Sequence, residues 1–159
     1  MQLEHAITRG IQSWDDNVFR HDIDTDTFKI FFVRTTADDV SREEPLNDDG
    51  WIKGAFDRAG LLRFIAVEHA SRNLPCHLVN DPTLAIDGKV ALMVSAYYSE
   101  DVDILTIHLV DPEGEAYNPD DSDTNSAGSI IFDLNPQRQL LSIEILDASK
   151  AICRARTQR

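Results

Sequence analysis

Tyr98-Ser99-Glu100-Asp101-Val102-Asp103-Ile104-Leu105-Thr106-Ile107-His108-Leu109 is the stretch on which the fold is read. Leu105, Ile107 and Leu109 alternate with Thr106 and His108, the two-residue period of a strand with one buried face. A second apolar run, Gly128-Ser129-Ile130-Ile131-Phe132-Asp133, leads into a turn at Asn135-Pro136-Gln137. The third, Leu141-Ser142-Ile143-Glu144-Ile145-Leu146, sends Leu141, Ile143 and Ile145 one way and Ser142 and Glu144 the other. Together with residues 90–98, which follow an Asp87-Gly88 hairpin signal, these runs predict four successive strands over 90–98, 104–110, 129–134 and 140–146. Alanine and lysine in 147–152 predict a closing helical turn.

Working back from that meander, residues 27–35, Thr-Phe-Lys-Ile-Phe-Phe-Val-Arg-Thr, read as a further strand, central because apolar residues occupy both faces. Residues 36–50 are polar and acidic and read as a loop. In 51–73, Ile52, Ala55, Phe56, Ala59, Leu62 and Ala66 recur at three- and four-residue steps, which predicts one long helix ended by Leu74-Pro75. Weaker helical spacing of Leu3, Ile7, Ile11 and Trp14 marks the start of the chain. The fold class expected is α+β, an antiparallel β-meander with one long α-helix packed on one face. Residues 1–88 form an N-terminal extension of the same domain, 89–153 the meander, and 154–159 a basic tail. No internal repeat is legible.

Residues 98–150 resemble domain of unknown function family 2283, the YuzE-like modules. The family pattern is a tyrosine, a short acidic turn, Asp-x-Leu-x-Ile-x-Leu, a Gly-x-Ile-x-Asp strand and a closing Gly-Ile-Glu-Ile-Leu-Asp-Ala-Ser segment. Asp103, Leu105, Ile107, Leu109, Gly128 and the run from Ile143 to Ser149 fall in register with it. Ser99 stands where Asp is usual, and Ser142 where Gly is usual. The resemblance covers about a third of the chain. Because such modules are often encoded beside small toxin-like proteins, it implies an antitoxin or immunity role.

The 159 residues, 42% of them hydrophobic, suffice for one packed domain. A formal net charge of −13 argues against binding a nucleic-acid backbone and suits a basic protein partner, or plain solubility. No apolar run reaches the roughly 20 residues of a membrane-spanning helix, and the N-terminus lacks the pattern of a signal peptide. Cys76 and Cys153 form no disulfide framework, so a cytoplasmic address is expected.

The strongest local feature is charge. Between Val90 and Gln137 there is no lysine or arginine, while nine acidic residues lie between Glu100 and Asp123. Glu100, Asp101, Asp103, Glu113, Glu115, Asp120, Asp121 and Asp123 are therefore the candidate surface for a basic partner, the alternative being a solvated loop. Asp121, Asp123 and Asn125 copy the opening of a calcium loop, but Ser126 and Phe132 replace its glycine and glutamate. Cys76-His77 and His69 match no zinc spacing, so neither metal nor cofactor is expected.

The leading reading is thus an acidic cytoplasmic interaction protein, antitoxin- or immunity-like, holding a basic partner and avoiding nucleic acid and membrane. Self-pairing into a homodimer through a sheet edge is a further expectation. The alternative is a small enzyme or ligand-binding protein with a pocket between helix and sheet, where His108 and Glu144 act as an acid–base pair. A cross-strand pair on a solvated face, an ordinary stabiliser of sheets, is the simpler account of those two residues.

Overall fold

The computed structural model describes residues 19–78 and 89–153. The N-terminal helical stripe, the Asp87-Gly88 signal and the basic tail lie outside them. Five strands make the first sheet: β1 (Phe19–Asp22), β2 (Thr27–Phe31), β3 (Arg42–Pro45), β4 (Ile52–Phe56) and β5 (Leu62–Val67). One helical turn, α1 (Ala70–Asn73), follows, then β6 (Cys76–His77), which pairs in parallel with β7 (Val90–Ala91). The second sheet holds β8 (Ser95–Ser99), β9 (Ile104–His108), β10 (Asp121–Thr124), β11 (Ile130–Leu134) and β12 (Leu140–Leu146), closed by α2 (Ala148–Ala151). The strand orders are β1-β2-β5-β4-β3 and β8-β9-β12-β11-β10, with every neighbour within these two sheets antiparallel.

The expected α+β class is therefore corrected: the protein is mostly β, and residues 51–73 are not a long helix but the β4–β5 hairpin and the single turn α1. The helical spacing arises because both faces of the hairpin are apolar. Ile52, Phe56 and Leu62 pack on the shared core and Ala55 and Ala66 on the outer face, and a bulge shifts the register besides. Phe56 pairs with Leu62 while Ala55 pairs with Phe64, leaving Arg63 as the extra residue of a bulge. Leu62 and Ile65 thereby both reach the shared core although they are three positions apart, a helical spacing made by a strand. Gly60 sits at φ +85 in the turn, and the Asp57 carboxylate accepts the Leu61 N–H at 2.9 Å. Gly54 and Gly60 would each cost a helix about 1 kcal/mol against alanine.

The strand expected over 27–35 is β2, and it is interior, between β1 and β5. Those at 104–110, 129–134 and 140–146 are β9, β11 and β12. The run 90–98 divides into β7 and β8. The segments read as loops contain the short polar edge strands β3 and β10. Leu141 is a second bulge residue, since Leu134 pairs with Leu140 and Asp133 with Ser142.

Phe28, Ile30, Ile52, Ile65 and Val67 from the first sheet join Leu105, Ile107, Phe132, Ile143 and Ile145 from the second in one buried cluster. The two sheets thus bury their apolar faces against a common core. Their outer faces differ. On the first sheet, Phe31, Ala55, Phe64 and Ala66 are buried with Val40 packed on them. On the second, the corresponding face is polar.

Candidate functional site

Strand pairing on the second sheet sets His108 opposite Ser142 and Ser142 opposite Asp133, so the three stand in one row across β9, β12 and β11. Glu144 is two residues along β12 from Ser142, on the same face, opposite Thr106. Ser142 is buried, and its hydroxyl donates to Asp133 Oδ2 at 3.0 Å. His108 is half-buried, and the Tyr117 ring stands edge-on to it at 5.5 Å. Burial pushes the His108 imidazolium pKa down, against the opposing charges of Asp133 and Glu144. His108 and Glu144 therefore share a face and influence each other electrostatically, yet among the described residues no direct hydrogen bond joins them. The row offers an imidazole whose neutral form burial favours, separated by Ser142 from the carboxylate that Ser142 orients. An open groove of about 370 Å³ lies elsewhere, against the β1–β2 hairpin at Arg20, Ile23 and Lys29.

The acidic residues form two groups. Glu100 and Asp101 are exposed in the β8–β9 turn, next to Asp103. Glu113, Glu115 and Asp120 are exposed on the connection from β9 to β10, and Asp121 opens β10. Because Asp121 pairs with Leu134, and Leu134 with Leu140, this second group sits at the end of the sheet far from the β8–β9 turn. Strands of this length put about 15 Å between those ends.

Not all the carboxylates are equally presented. Asp121 meets Arg138 at 3.1 Å. Asp123 is half-buried and accepts the Thr124 N–H at 2.9 Å and the Asp48 N–H at 3.4 Å. Asp103 has φ +56, and its carboxylate accepts from the Tyr98 hydroxyl at 2.6 Å and from the Ser149 N–H and hydroxyl at 2.9 and 2.6 Å. Burial raises the Asp103 carboxyl, but the bonds from Ser149 and Tyr98 outweigh it and hold the group below its ordinary range.

Charge is divided unevenly between the halves. Residues 19–78 carry eight lysines and arginines against eleven acids, whereas residues 89–153 carry three against twelve. Of the four outer strands, β3 (Arg42-Glu43-Glu44-Pro45) and β10 (Asp121-Ser122-Asp123-Thr124) are of the charged or proline-bearing kind that blunts edges, whereas β8 (Ser95-Ala96-Tyr97-Tyr98-Ser99) carries neither charge nor proline. No group of three or more histidine, cysteine or acidic side chains is placed to hold a metal ion among the described residues. Nor is any helix among them long and apolar enough to cross a membrane.

Sequence reasoning passed over two features here. The Ser142–Asp133 bond had a signal, since Ser142 occupies a position where the family pattern has glycine. The bonds from Ser149 to Asp103 had a weaker one, the Ala-Ser pair directly after a strand.

No curated protein matches the chain, and no solved structure does. Residues 96–149, from β8 to the serine that binds Asp103, match the model of a protein family of unknown function, DUF2283.

Proposed function

We propose that this protein is an acidic interaction protein of the cytoplasm that binds a basic protein partner through the border of its second sheet. Glu113, Glu115 and Asp120 are the principal contacts, with Asp121 sharing its charge with Arg138. Glu100 and Asp101 act as a separate acidic point at the opposite end. Asp103 and Asp123 shape the surface rather than touch the partner. The observation that carries this reading is the imbalance of three basic against twelve acidic residues in 89–153, with exposed Glu113, Glu115 and Asp120 following one another on the connection from β9 to β10. A one-sign border speeds encounter with a basic partner and discriminates against acidic ones. An antitoxin- or immunity-like role is the form that the family resemblance favours.

The alternative, an acid–base pair of His108 and Glu144, has lost the helix that was to wall its pocket. The test is capture from native lysate by the wild-type chain and by a Glu113→Lys/Glu115→Lys/Asp120→Lys variant. A basic protein held at low salt, released at high salt and lost by the variant supports the reading. A partner held equally by both chains, or none at any salt, overturns it.

A further inference from the structure

The two sheets share more than a strand order. Asp26 in the β1–β2 turn has φ +54, and Asp103 in the β8–β9 turn has φ +56. Asp26 O accepts the Ala70 N–H at 2.8 Å, and Asp103 O accepts the Ala148 N–H at 2.9 Å. The Asp26 carboxylate takes the Ser71 hydroxyl at 2.6 Å and its N–H at 3.1 Å; Asp103 takes the same two groups of Ser149 at 2.6 and 2.9 Å. Its remaining partner is His21 Nε2 at 2.9 Å in one case and the Tyr98 hydroxyl at 2.6 Å in the other. Each clamp fixes a helical turn entered through a left-handed residue, His69 at φ +52 or Asp147 at φ +51.

The correspondence continues along the chain. Asn47 Oδ1 accepts the Ile52 N–H at 3.0 Å and Asn125 Oδ1 the Ile130 N–H at 3.0 Å, each over a left-handed glycine, Gly50 or Gly128. Asp57 and Asn135 bind the N–H four residues on, at 2.9 and 2.8 Å, beside left-handed Gly60 and Arg138. Arg63 and Leu141 are the equivalent bulge residues, and their carbonyls accept from Phe32 and Leu109 at 2.9 Å in both sheets. The clamp aspartates are 77 positions apart, and every later pair from Asn47 to Ser71 is 78 apart. Any one of these devices is common. Their recurrence in one order, at spacings that differ by a single residue, is not.

The contacts between the two units are reciprocal. Ile152, after α2, bridges to Leu62 of β5, and the Cys153 N–H donates to Leu62 O at 2.8 Å. At the counterpart place, just ahead of β12, Gln139 Nε2 donates to Arg72 O at 3.0 Å and Leu74 O at 3.5 Å. Leu74 is the equivalent of Ile152, and Leu140 of Leu62. Pro75 stands where Cys153 would be and has no N–H to give, so the Gln139 side chain makes the link instead. Element i of one unit meeting element j of the other, and j meeting i, is the signature of a two-fold interface.

We infer that residues 19–75 are a second, diverged copy of the module at 96–153, and that the chain is a covalently joined pseudo-dimer. The inner face of the module is then an interaction surface whose partner is another module, and here that partner is built in. The copies have diverged on their outer faces. Phe31, Ala55, Phe64 and Ala66 on the first become His108, Asp133, Ser142 and Glu144 on the second, so only the second carries the polar row. This inference stands whether or not a basic partner exists.

Three measurements on the full-length chain test it. Asp26→Ala and Asp103→Ala should each lower Tm by about 5–10 °C, the loss of charge-assisted bonds in a chain of this size. One silent variant beside a damaging one overturns the equivalence of the clamps. Cleavage at a protease site inserted in residues 79–88 should leave a one-to-one complex whose Tm rises with concentration. Fragments that part as separately folded monomers overturn the shared interface. Replacing residues 19–75 by a second copy of 96–153 should yield a monomer with a single melting transition, and a chain that unfolds or forms larger assemblies overturns the duplication.

Discussion

The Asp103 carboxylate accepts the Ser149 hydroxyl at 2.6 Å and the Ser149 N–H at 2.9 Å, tying the β8–β9 turn to the start of α2 across 46 residues of chain. These are bonds to an ionised acceptor, the stronger class of hydrogen bond. Asp26 does the same for Ser71. Both carboxyls sit below the ordinary value of 3.8, because the hydrogen bonds together outweigh the burial that pushes them up. A depressed carboxyl contributes stability that is complete above its unfolded value and lost as pH falls through its folded one. The wild-type chain should therefore lose more Tm between pH 5 and pH 2 than Asp26→Asn/Asp103→Asn does. Thermal melts across that interval measure it, and parallel profiles would refute it.

The same clamps explain how far the sequence was legible. β9 and β12 were visible because their apolar residues keep the two-residue period and the family pattern overlaps them. The β4–β5 hairpin carries a helical pattern because both of its faces are apolar: Ile52, Phe56 and Leu62 pack on the shared core while Ala55 and Ala66 pack on the outer face, so no two-residue period stands out. β3 and β10 are edge strands with Glu43, Glu44, Asp121 and Asp123 where an apolar face would announce a strand, so they passed for loops. The duplication was hidden because the shared devices need few identical residues. Asp26/Asp103, Asn47/Asn125, Gly50/Gly128 and Ser71/Ser149 recur, while His21 is exchanged for Tyr98 and Gly60 for Arg138 with the backbone unchanged. The acidic residues were visible at once, but their division between two ends of a sheet depends on register.

Glycine substitutions separate backbone strain from crowding. Gly50 has φ +81 and Gly128 has φ +73, and a Cβ at either would meet nothing within 4 Å. Gly50→Ala and Gly128→Ala should each cost roughly 1–2 kcal/mol from the left-handed conformation alone. At Gly54 the Cβ would stand 3.0 Å from Phe56 and 3.1 Å from both Leu46 and Leu62. Gly54→Ala should cost about 1–3 kcal/mol by overpacking. Trimming a neighbour, as in Leu46→Val, should recover part of the Gly54 loss and none of the Gly50 loss. Urea titrations of the single and double variants decide between the two origins.

Both cysteines are buried thiols. Burial pushes the Cys76 thiol up to about 12, against the pull of the Lys89 charge. The Cys153 thiol is also raised by burial, although the Arg63 guanidinium opposes the shift and donates to its sulfur at 3.2 Å. The thiolate is the reactive form, and at pH 8 the Cys76 thiolate fraction is on the order of 10⁻⁴. Ellman's reagent at that pH should leave Cys76 unmodified in the native protein and count two thiols in denaturant. Rapid native labelling of Cys76 would contradict the burial that sets its pKa.

His108 gives a second pH test, in a higher window and with the same sign as the clamps. Its pKa is lowered by burial, with Asp133 and Glu144 pulling the other way, so the folded protein favours the neutral ring. For a base depressed in this way the unfolded chain binds the proton first. The contribution to stability is then complete above the unfolded value, about 6.5, and falls as pH drops through it toward the folded value. Between pH 7.5 and pH 5 the wild-type chain should thus destabilise more steeply than His108→Gln, and the His108 ring protons should titrate below 6.5 by NMR. His108→Phe, which restores the residue found at Phe31 on the first sheet, should flatten the profile in the same way. It should keep the fold, because the His108 ring already stands edge-on to the Tyr117 ring at 5.5 Å, a contact that a phenyl ring can also make. A His108 that titrates above 6.5 would mean that the carboxylates of Asp133 and Glu144 outweigh burial, and the slope would reverse.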